Sequence, residues 1–440
     1  MSGVLDMAAI GALPAGVLRP NYDVATLQCG IVHLGVGAFH RAHQAFYTEQ
    51  AIRHGGGNWG IVGVALRHAA VPEALARQDN LYTIETLANT PEYRVVGAVR
   101  RAMTATTQRA GVLDALASST THIVTLTVTE KGYCLGLNGE LDLTHPDIAA
   151  DLAHPSQPAS AIGWLAAALS ARHETHQTPL TIISCDNLKR NGARLGDAVS
   201  VFLDRTQPKV LGWVRQNVRF PQTMVDCIVP AASEASRARV ALALGVDDEA
   251  SVQREPFSQW VIEERFAGPR PAWGEVGVQI VADTADYDRL KLHVLNTCHS
   301  ALAYWGLKRG YTFVREAIAD PELAQFLEDM VRAEIAPALR PLQTLDYWRS
   351  VRARFQNRHI DHALAQIAQD GAQKLAERVF PLIIANARAG IPIAHLSRIV
   401  GGWLWYTRAP IETALGDPSL FPPGIRMSDV ARAAIVASAP

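Results

Sequence analysis

The sequence predicts an α/β domain followed by an all-α domain. A β-rich run at residues 29–34 leads into Gly35-Val36-Gly37, and a helix is predicted from residue 39 to about residue 54. A strand, a Gly-x-Gly turn and a helix open a dinucleotide-binding fold, because glycine lets the backbone approach a pyrophosphate. Beyond residue 283 every strong signal is helical. We therefore expect an expanded Rossmann-type dinucleotide-binding domain followed by a helical domain.

Length and composition set the domain organisation and exclude some functions. At 440 residues the chain is too long for one hydrophobic core, and we expect domains at residues 1–282 and 283–440. Hydrophobic residues make up 48% of the chain and charged residues 19%, which is a globular composition. The formal net charge is -1 and the basic residues are scattered, which argues against nucleic acid or an anionic membrane as a partner. We expect a monomer or a weak oligomer.

The cysteines and the N-terminal residues indicate in which cellular compartment the protein is expected. Five cysteines lie far apart, without a C-x-x-C pair, which argues against a structural zinc site and a disulfide framework. The first residues lack a basic region and include Asp6, so we do not expect a signal peptide. No apolar run approaches transmembrane length. These features predict a soluble cytoplasmic protein.

Strand patterns predict a doubly wound sheet in the first domain. A parallel strand is predicted at residues 59–66, with an antiparallel insertion at residues 80–87 and 93–99. Further strands are predicted at residues 121–128, 180–184, 257–263 and 276–281. The carboxyl ends of such strands face the ligand crevice, so the loop that contains Glu130 should border the cofactor. Asn187 follows another strand end and is either a substrate contact or a helix cap.

The nucleotide preference is open in the sequence. The third glycine of the usual fingerprint is absent, and a bare Gly-x-Gly also occurs in ordinary strand–helix turns. NAD enzymes usually place an acidic residue after the second strand, but here that strand ends in Leu66-Arg67-His68. Arg67 can pair with a 2′-phosphate or lie over the adenine. We expect NAD as the cofactor and keep NADP as an alternative.

One stretch of the predicted second domain contains three candidate catalytic residues. Residues 288–303 contain the pattern K-x4-N-x2-H, formed by Lys291, Asn296 and His299. At about 100° per residue an α-helix places Asn296 near 140° and His299 near 80° from Lys291, so all three fit one broad face. The alternative is a polar helix edge whose side chains bond to the backbone. Further helices are predicted at residues 314–319, 322–335, 345–355, 361–369, 373–387 and 396–406.

Several runs together resemble one family. The run G-I-V-H-L-G-V-G-A-F-H-R-A-H-Q-A at residues 30–45 resembles the N-terminal signature of the polyol-specific long-chain dehydrogenases. Later runs agree in the family's order: S-C-D-N-L, T-M-V-D-C-I-V-P, Q-W-V-I-E and K-L-H-V-L-N-T-C-H-S. The resemblance spans roughly residues 30–390. It implies a two-domain fold and NAD(P)-dependent oxidation of a secondary alcohol.

The resemblance also implies roles for particular residues. It identifies Lys291 as the catalytic general base, and the remaining catalytic residues as Asn296, His299 and Asn187. The cofactor loop falls on Gly35, Gly37 and Phe39, to which we add Arg67 and Glu130. Asp226 lies in the T-M-V-D run and is assigned to the substrate.

The implied mechanism needs no metal. A lysine serves as base when desolvation and a nearby positive charge disfavour its ammonium form. Two amides can donate to the reacting oxygen, and His299 would orient the substrate. Glu130 and Asp288 can relay the proton to solvent, although surface acids are an equal interpretation. His40 with His43, and His359 with His362, have i,i+3 spacing but no nearby cysteine, so we expect no metal site.

The substrate prediction depends on a basic segment. The run A-Q-K-L-A-E-R, which contains Lys374 and Arg378, is similar to the uronate-reducing branch of the family. Both side chains can bind a sugar-acid carboxylate, and the alternative is a solvated basic helix face. We therefore expect mannonate/fructuronate interconversion, with mannitol/fructose second. A cofactor-binding module without catalysis is a third possibility, and the intact catalytic set argues against it.

Overall fold

A six-stranded parallel sheet is the centre of the first part of the chain. The computed structural model describes residues 3–136 and 138–408. The chain divides into two compact units, Met1–Thr284 and Ala285–Pro440. The strands of the first unit are β1 Cys29–Leu34, β2 Gly60–Ala65, β3 Tyr82–Thr86, β4 Glu92–Val96, β5 Val99–Thr104, β6 Ile123–Leu126, β7 Leu180–Ser184, β8 Val218–Arg219, β9 Thr223–Asp226, β10 Val252–Arg254, β11 Gln259–Glu263 and β12 Gln279–Val281.

The order of the large sheet is β5-β2-β1-β6-β7-β8, with every pairing parallel. Counted along the sheet's own strands this is the order 3-2-1-4-5-6 of the dinucleotide-binding fold. The strand order reverses between β1 and β6. Ligands of open α/β sheets bind at such a reversal, outside the carboxyl ends of the strands.

Alternation along the strands explains why helices cover both faces of this sheet. In β1, Val32 and Leu34 join one core with Trp164 and other helix residues, whereas Ile31 joins a second core that contains Trp260. Successive strand side chains point to opposite faces, and both faces here are apolar. The covering helices are α1 Ala38–Ala42, α2 Gln44–Gly55, α3 Ala70–Ala76, α4 Arg109–Ala117, α5 Pro146–Ala153, α6 Ala161–Thr175, α7 Asn191–Thr206, α8 Pro208–Asn217 and α9 Glu234–Leu244.

Two smaller sheets complete the first unit. The predicted antiparallel insertion is the β3–β4 pair, to which β10 adds a parallel strand. The third sheet has the order β12-β11-β9. The expectation of a single strand over residues 93–99 is wrong, because the chain turns after Val96 and re-enters the large sheet as β5.

The helix predicted over residues 39–54 is also wrong as a single element. It is interrupted at His43, whose backbone dihedrals are φ -124° and ψ -80°. The buried ring of His43 meets the backbone oxygen of Gln259 through Nε2 at 3.0 Å. This tertiary contact has no local sequence signal.

The described part of the second unit is helical. Its α-helices are α10 Ala285–Leu290, α11 Thr297–Lys308, α12 Val314–Ala319, α13 Pro321–Met330, α14 Ala336–Ala338, α15 Thr344–Phe355, α16 Leu364–Ala368, α17 Gly371–Arg378, α18 Phe380–Ala389 and α19 Ala394–Thr407. They enclose one core whose large members include Trp348, Phe355 and Phe380. Within the ranges described above, no helix has both the length and the apolar character needed to cross a membrane.

Two π-helical segments interrupt the α-helices of this unit. Lys291–Asn296 joins α10 to α11, and Val331–Ile335 joins α13 to α14. The predicted helix over residues 373–387 is likewise divided, at Val379 between α17 and α18. Pro381 near the start of α18 is the local signal for that division, because proline belongs in the first turn of a helix.

Candidate active site

The glycine loop follows β1 at the reversal of strand order. Gly35 has a φ of +99°, in the region that favours glycine, and a Cβ built there lies 2.0 Å from the backbone oxygen of Thr127. A Cβ at Gly37 meets only the Gly35 oxygen at 3.8 Å, so this side of the loop is open. The half-buried Phe39 follows in α1, with its ring stacked on His43. This open backbone suits the close approach of a pyrophosphate.

Arg67 follows β2 and is already paired. Its Nη2 lies 2.5 Å from Oδ2 of Asp147 at the start of α5, and its side chain is 69% exposed. The acid that pairs with Arg67 comes from α5, elsewhere in the chain. The Asp147 carboxylate neutralises the guanidinium charge of Arg67, which would otherwise attract the 2′-phosphate of NADP.

The loop after β6 contains Glu130 at the start of a short 3-10 turn, Glu130–Tyr133. The preceding Thr129 has a φ of +65°, which is unusual for a β-branched residue. Its backbone N–H donates to Asp186 at 2.9 Å, as does the N–H of Val128. The Tyr133 hydroxyl adds a third bond to the same carboxylate at 2.7 Å. Strained backbone persists when its surroundings hold it in this way.

Sequence reasoning missed Asp186, the residue that holds this loop. Burial raises the pKa of its carboxyl group, and the hydrogen bonds from Tyr133 and the loop amides oppose that rise. An acid two residues after the end of the buried strand β7 was the available signal. Asn187, its neighbour, is exposed and is not the helix cap, because Arg190 precedes α7.

The predicted residues of the first unit therefore share one edge. Gly35, Arg67, Glu130 and Asn187 follow four parallel strands of the same sheet, β1, β2, β6 and β7. Asp226 is different: it is buried at the end of β9 in the small antiparallel pairing with β11.

The lysine, asparagine and histidine of the second unit lie on a helix of mixed geometry. Lys291 begins the π-helical segment, Asn296 ends it, and His299 lies in the first turn of α11. The angles expected for a continuous α-helix are wrong here, since a π-helix joins residues five apart and turns less per residue. Lys291 and Asn296 are five apart, about one π turn, and His299 follows Asn296 by three. The three side chains consequently still share a side of the helix.

His299 is a buried and neutral imidazole. Burial lowers its pKa well below the usual value, and His362, Arg354, Arg378 and Lys374 lower it further. Its ring packs on Phe355 at 4.4 Å and meets His362 edge-on at 5.1 Å. Within residues 3–136 and 138–408 its Nε2 has no hydrogen-bond partner. A buried polar atom of this kind is suited to a ligand hydroxyl.

Lys374 and Arg378 lie on the same helix, α17, and both are half-buried. The Lys374 ammonium donates to the backbone oxygen of Ile367 at 3.0 Å. Arg378 donates from Nη1 to the Asn296 oxygen at 3.3 Å and to Ser300 Oγ at 3.2 Å. Arg378 therefore contacts the end of the π-helical segment, and neither cation is fully solvated.

Arg354 and His362 also belong to this group, and the sequence did not single them out for it. Arg354 lies on α15 and is only 8% exposed. Burial and the charges of Arg354 and Lys374 lower the pKa of His362 to about 4. The burial of Arg354 is visible only in the fold, so no local sequence pattern singles it out.

In the described residues, neither the His40–His43 pair nor the His359–His362 pair belongs to a group of three or more side chains that could bind a metal ion. The described residues do place atoms of Cys134, His145 and Asp147 within 4.8 Å of one another. Asp147 is paired with Arg67, and its backbone N–H donates to Nδ1 of His145 at 3.3 Å. Two of the three groups thus have protein partners, and the absence of a metal stays a prediction.

Comparison with known proteins agrees with this architecture. The family model of the mannitol dehydrogenase Rossmann domain matches residues 29–275, and that of the mannitol dehydrogenase C-terminal domain matches residues 283–415. The chain is 39% identical over 405 residues to D-mannonate oxidoreductase of Escherichia coli (strain K12), covering 90% of this chain and 83% of that protein. It is 37% identical over 417 residues to a mannitol 2-dehydrogenase of Phaeosphaeria nodorum, covering 91% and 73%.

A solved structure extends the likeness to nearly the whole chain. The ternary complex of Pseudomonas fluorescens mannitol 2-dehydrogenase with NAD and D-mannitol superposes with a TM-score of 0.91 at 33% identity, covering 99% of this chain and 96% of that one. The predicted fold class and the resemblance to polyol dehydrogenases are confirmed. The protein belongs to the mannitol dehydrogenase family and is a dehydrogenase.

Proposed function

We propose that this dehydrogenase interconverts a secondary alcohol and a ketone on a sugar acid, D-mannonate and D-fructuronate, with NAD(H). The observation that supports this choice is a set of cations in the second unit: Arg354 is nearly buried, Lys374 and Arg378 share α17, and Arg378 donates to the backbone oxygen of Asn296. A neutral polyol does not need three positive charges beside its hydroxyl groups.

The energetic reason lies in desolvation. A carboxylate that leaves water loses several strong hydrogen bonds, and a charge-assisted contact restores a few kcal/mol. Arg354 is 8% exposed, and a charge-assisted contact with a cation shielded from water is stronger than one at the surface. Lys374 and Arg378, one helical turn apart on α17, present a second and third positive charge.

Mannitol is the second candidate substrate. It is favoured by the likeness to the Pseudomonas fluorescens mannitol 2-dehydrogenase, whose complex contains NAD and D-mannitol. The D-mannonate oxidoreductase of Escherichia coli is slightly more similar in sequence, at 39% identity. Sequence identity of this size does not separate the two substrates, so the proposal depends on the cations.

NAD fits the edge of the large sheet. The open side of Gly37 allows close backbone approach, and the loop lies at the reversal of strand order. We assign Gly35, Gly37 and Phe39 to the binding of the NAD pyrophosphate. Glu130, in the loop after the neighbouring strand β6, is also assigned to cofactor binding. The Arg67–Asp147 pair favours NAD over NADP, because the guanidinium that could bind a 2′-phosphate is already paired with Asp147. When bound, NAD+ accepts the hydride from the carbinol carbon.

Lys291 is the proposed general base. Oxidation requires the hydroxyl proton to leave as the hydride leaves, and a lysine amine can take that proton if it is unprotonated. Lys291 is half-buried, and desolvation by a bound substrate together with the positive charge of NAD+ would disfavour its ammonium form. In reduction the same group returns the proton to the carbonyl oxygen. Glu130 and Asp288 remain candidates for the relay to solvent.

Asn296 and Asn187 are the proposed donors to the reacting oxygen, on which negative charge develops. Asn296 is 7% exposed, and its backbone oxygen is fixed by Arg378 and Ser300, which limits movement of the residue. His299 would orient a substrate hydroxyl through the buried Nε2. The role of Asn187, and that of Asp226 in substrate binding, stay predictions.

A substrate panel tests the proposal. The protein is incubated with D-mannonate, other aldonates, D-mannitol and other hexitols, each with NAD+ and with NADP+, and reduced nucleotide is followed. We expect turnover with D-mannonate and NAD+ to exceed all others. If only hexitols are turned over, mannitol replaces D-mannonate as the proposed substrate. If no combination of substrate and nucleotide is turned over, the proposed reaction is refuted.

A further inference from the structure

His33 connects the glycine loop to the neighbouring strand. It lies near the end of β1 and is fully buried. Its Nδ1 lies 2.7 Å from Oγ1 of Thr125, and its Nε2 lies 3.0 Å from the backbone oxygen of Gly35. The same Nε2 is 2.9 Å from Oγ1 of Thr127, whose hydroxyl donates to the Gly35 oxygen at 2.8 Å. The Gly35 carbonyl is thus held by two side-chain donors, in addition to the backbone N–H of Gly37 at 2.6 Å.

These contacts determine the tautomer of the ring. A carbonyl oxygen can only accept, so Nε2 must carry the hydrogen and Nδ1 must accept from the Thr125 hydroxyl. Burial lowers the pKa of His33 to about 3, and the ring therefore stays neutral at ordinary pH. The neutral ring therefore keeps its Nε2–H donor to Gly35 at neutral pH.

A second histidine closes the other side of the ring. His40 of α1 stacks on His33 with ring centroids 3.5 Å apart and planes at 10°. His40 is fully buried, and among the described residues neither of its ring nitrogens has a hydrogen-bond partner. Because both rings are fully buried, the hydrogen bond from His33 to the Gly35 carbonyl is stronger than the same bond in water.

We infer that His33 is a positioning residue for the cofactor, acting through the Gly35 carbonyl. Gly35 occupies a left-handed conformation against Thr127, and nothing in its own side chain restrains it. The His33 donor fixes the peptide orientation before the cofactor arrives, so that binding does not have to order the loop. This role rests on the proposed function, in which the loop binds NAD(H).

Matched substitutions separate this role from simple packing. His33→Asn keeps a polar group at the Nδ1 position but removes the donor to Gly35, whereas His33→Gln reaches the Nε2 position and retains a donor. Thr125→Val breaks the bond at the opposite ring nitrogen and serves as the control for stability. Thr127→Val removes the other side-chain donor to the same carbonyl, and tests the inference if His33→Asn does not fold.

The measurements are the Kd for NADH by fluorescence titration, kcat at saturating cofactor, and Tm. We expect His33→Asn and Thr127→Val to raise Kd about 10-fold with kcat changed less than about 3-fold, the pattern of a lost binding contribution. His33→Gln and Thr125→Val should keep Kd within about 3-fold of the unmodified protein even if Tm falls.

Two results would overturn the inference. One is an unchanged Kd in both His33→Asn and Thr127→Val; the other is a Kd in Thr125→Val that rises as much as in His33→Asn. Failure of the unmodified protein to bind NADH is a different result, because it refutes the proposed function and the role of His33 falls with it.

Discussion

The guanidinium of Arg378 donates through Nη1 to the backbone oxygen of Asn296 at 3.3 Å. In the opposite direction, Thr297 Oγ1 donates to the backbone oxygen of Arg378 at 3.3 Å. The end of α17 is therefore fastened to the end of the π-helical segment that contains Lys291. Arg378 consequently has two functions in the proposed site: it supplies positive charge, and it braces the segment that carries the base.

The two cations of α17 should respond differently to substitution. Lys374→Met removes a positive charge and a hydrogen bond to the backbone oxygen of Ile367, which lies in α16 and outside the π-helical segment. We therefore expect the KM for D-mannonate to rise about 10-fold or more, a loss of about 1.4 kcal/mol, with kcat nearly unchanged. Arg378→Met should raise KM and also lower kcat, because Asn296 and Ser300 lose a partner. Steady-state kinetics separate these patterns.

The exposed Arg388 of α18 provides the matched control. Arg388→Met should leave both constants within about 2-fold, as expected for a surface substitution. If Lys374→Met behaves like this control, the carboxylate is bound elsewhere.

Loss of the proposed base should affect chemistry and spare cofactor binding. Lys291→Ala removes the proton acceptor, and we expect kcat to fall by about 10²-fold or more. The Kd for NADH, measured by fluorescence titration, should stay near that of the unmodified protein. Near-normal turnover at neutral pH would exclude Lys291 as the base.

The amides should act on the transition state more than on binding. Asn296→Ala and Asn187→Ala each remove a proposed donor to the reacting oxygen, and each should lower kcat by about 10²-fold with a smaller change in KM. Asn217, an amide at the end of α8, is the control position, and Asn217→Ala should change neither constant. If Asn187→Ala also changes neither, Asn187 has no part in the reaction.

The Arg67–Asp147 pair predicts a route to altered nucleotide preference. Asp147→Asn releases the guanidinium of Arg67, which can then pair with a 2′-phosphate. We expect kcat/KM for NADP+ to rise about 10-fold while that for NAD+ changes little; an exposed pair contributes little to stability, so the fold should persist. An unchanged ratio of the two values would show that Arg67 does not approach the ribose.

Acid should destabilise the protein through its buried neutral histidines. His362 has a pKa of about 4 in the folded protein because of burial and nearby cations, below its unfolded value of about 6.5. Between these values the unfolded chain binds more protons, so stability rises with pH and falls by about 1.4 kcal/mol per pH unit on acidification. Urea unfolding of His362→Gln at about pH 6.5 and about pH 5 should show a shallower loss. Equal losses in both proteins would contradict this assignment.

Much of the fold was predictable because its strands are continuous apolar runs. β7, Leu180–Ser184, has the predicted bounds, and such runs are typical of strands buried on both faces. β5 was missed because Arg100 and Arg101 interrupt its pattern, as an edge position permits. The π-helical segment at Lys291 was missed for a different reason: leucine and alanine favour helix without distinguishing bonds four apart from bonds five apart.

Some residues of the candidate site were likewise predictable from the sequence, and others were not. Lys291, Asn296 and His299 are close in sequence, so their spacing alone brought them together. Arg354 joins them only through packing of α15, and Asp186 acts through backbone amides of another loop. Contacts between residues distant in the chain, such as those of His33 with Thr125, have no local pattern to reveal them.

The most direct test of the central claim is the ratio of kcat/KM for D-mannonate to kcat/KM for D-mannitol, measured with NAD+ on the unmodified protein. The cations Arg354, Lys374 and Arg378 around His299 predict a ratio of at least about 100, since two charge-assisted contacts of about 1.4 kcal/mol each give that factor. A ratio below one, with mannitol turned over better than mannonate, would contradict the claim and make mannitol the substrate.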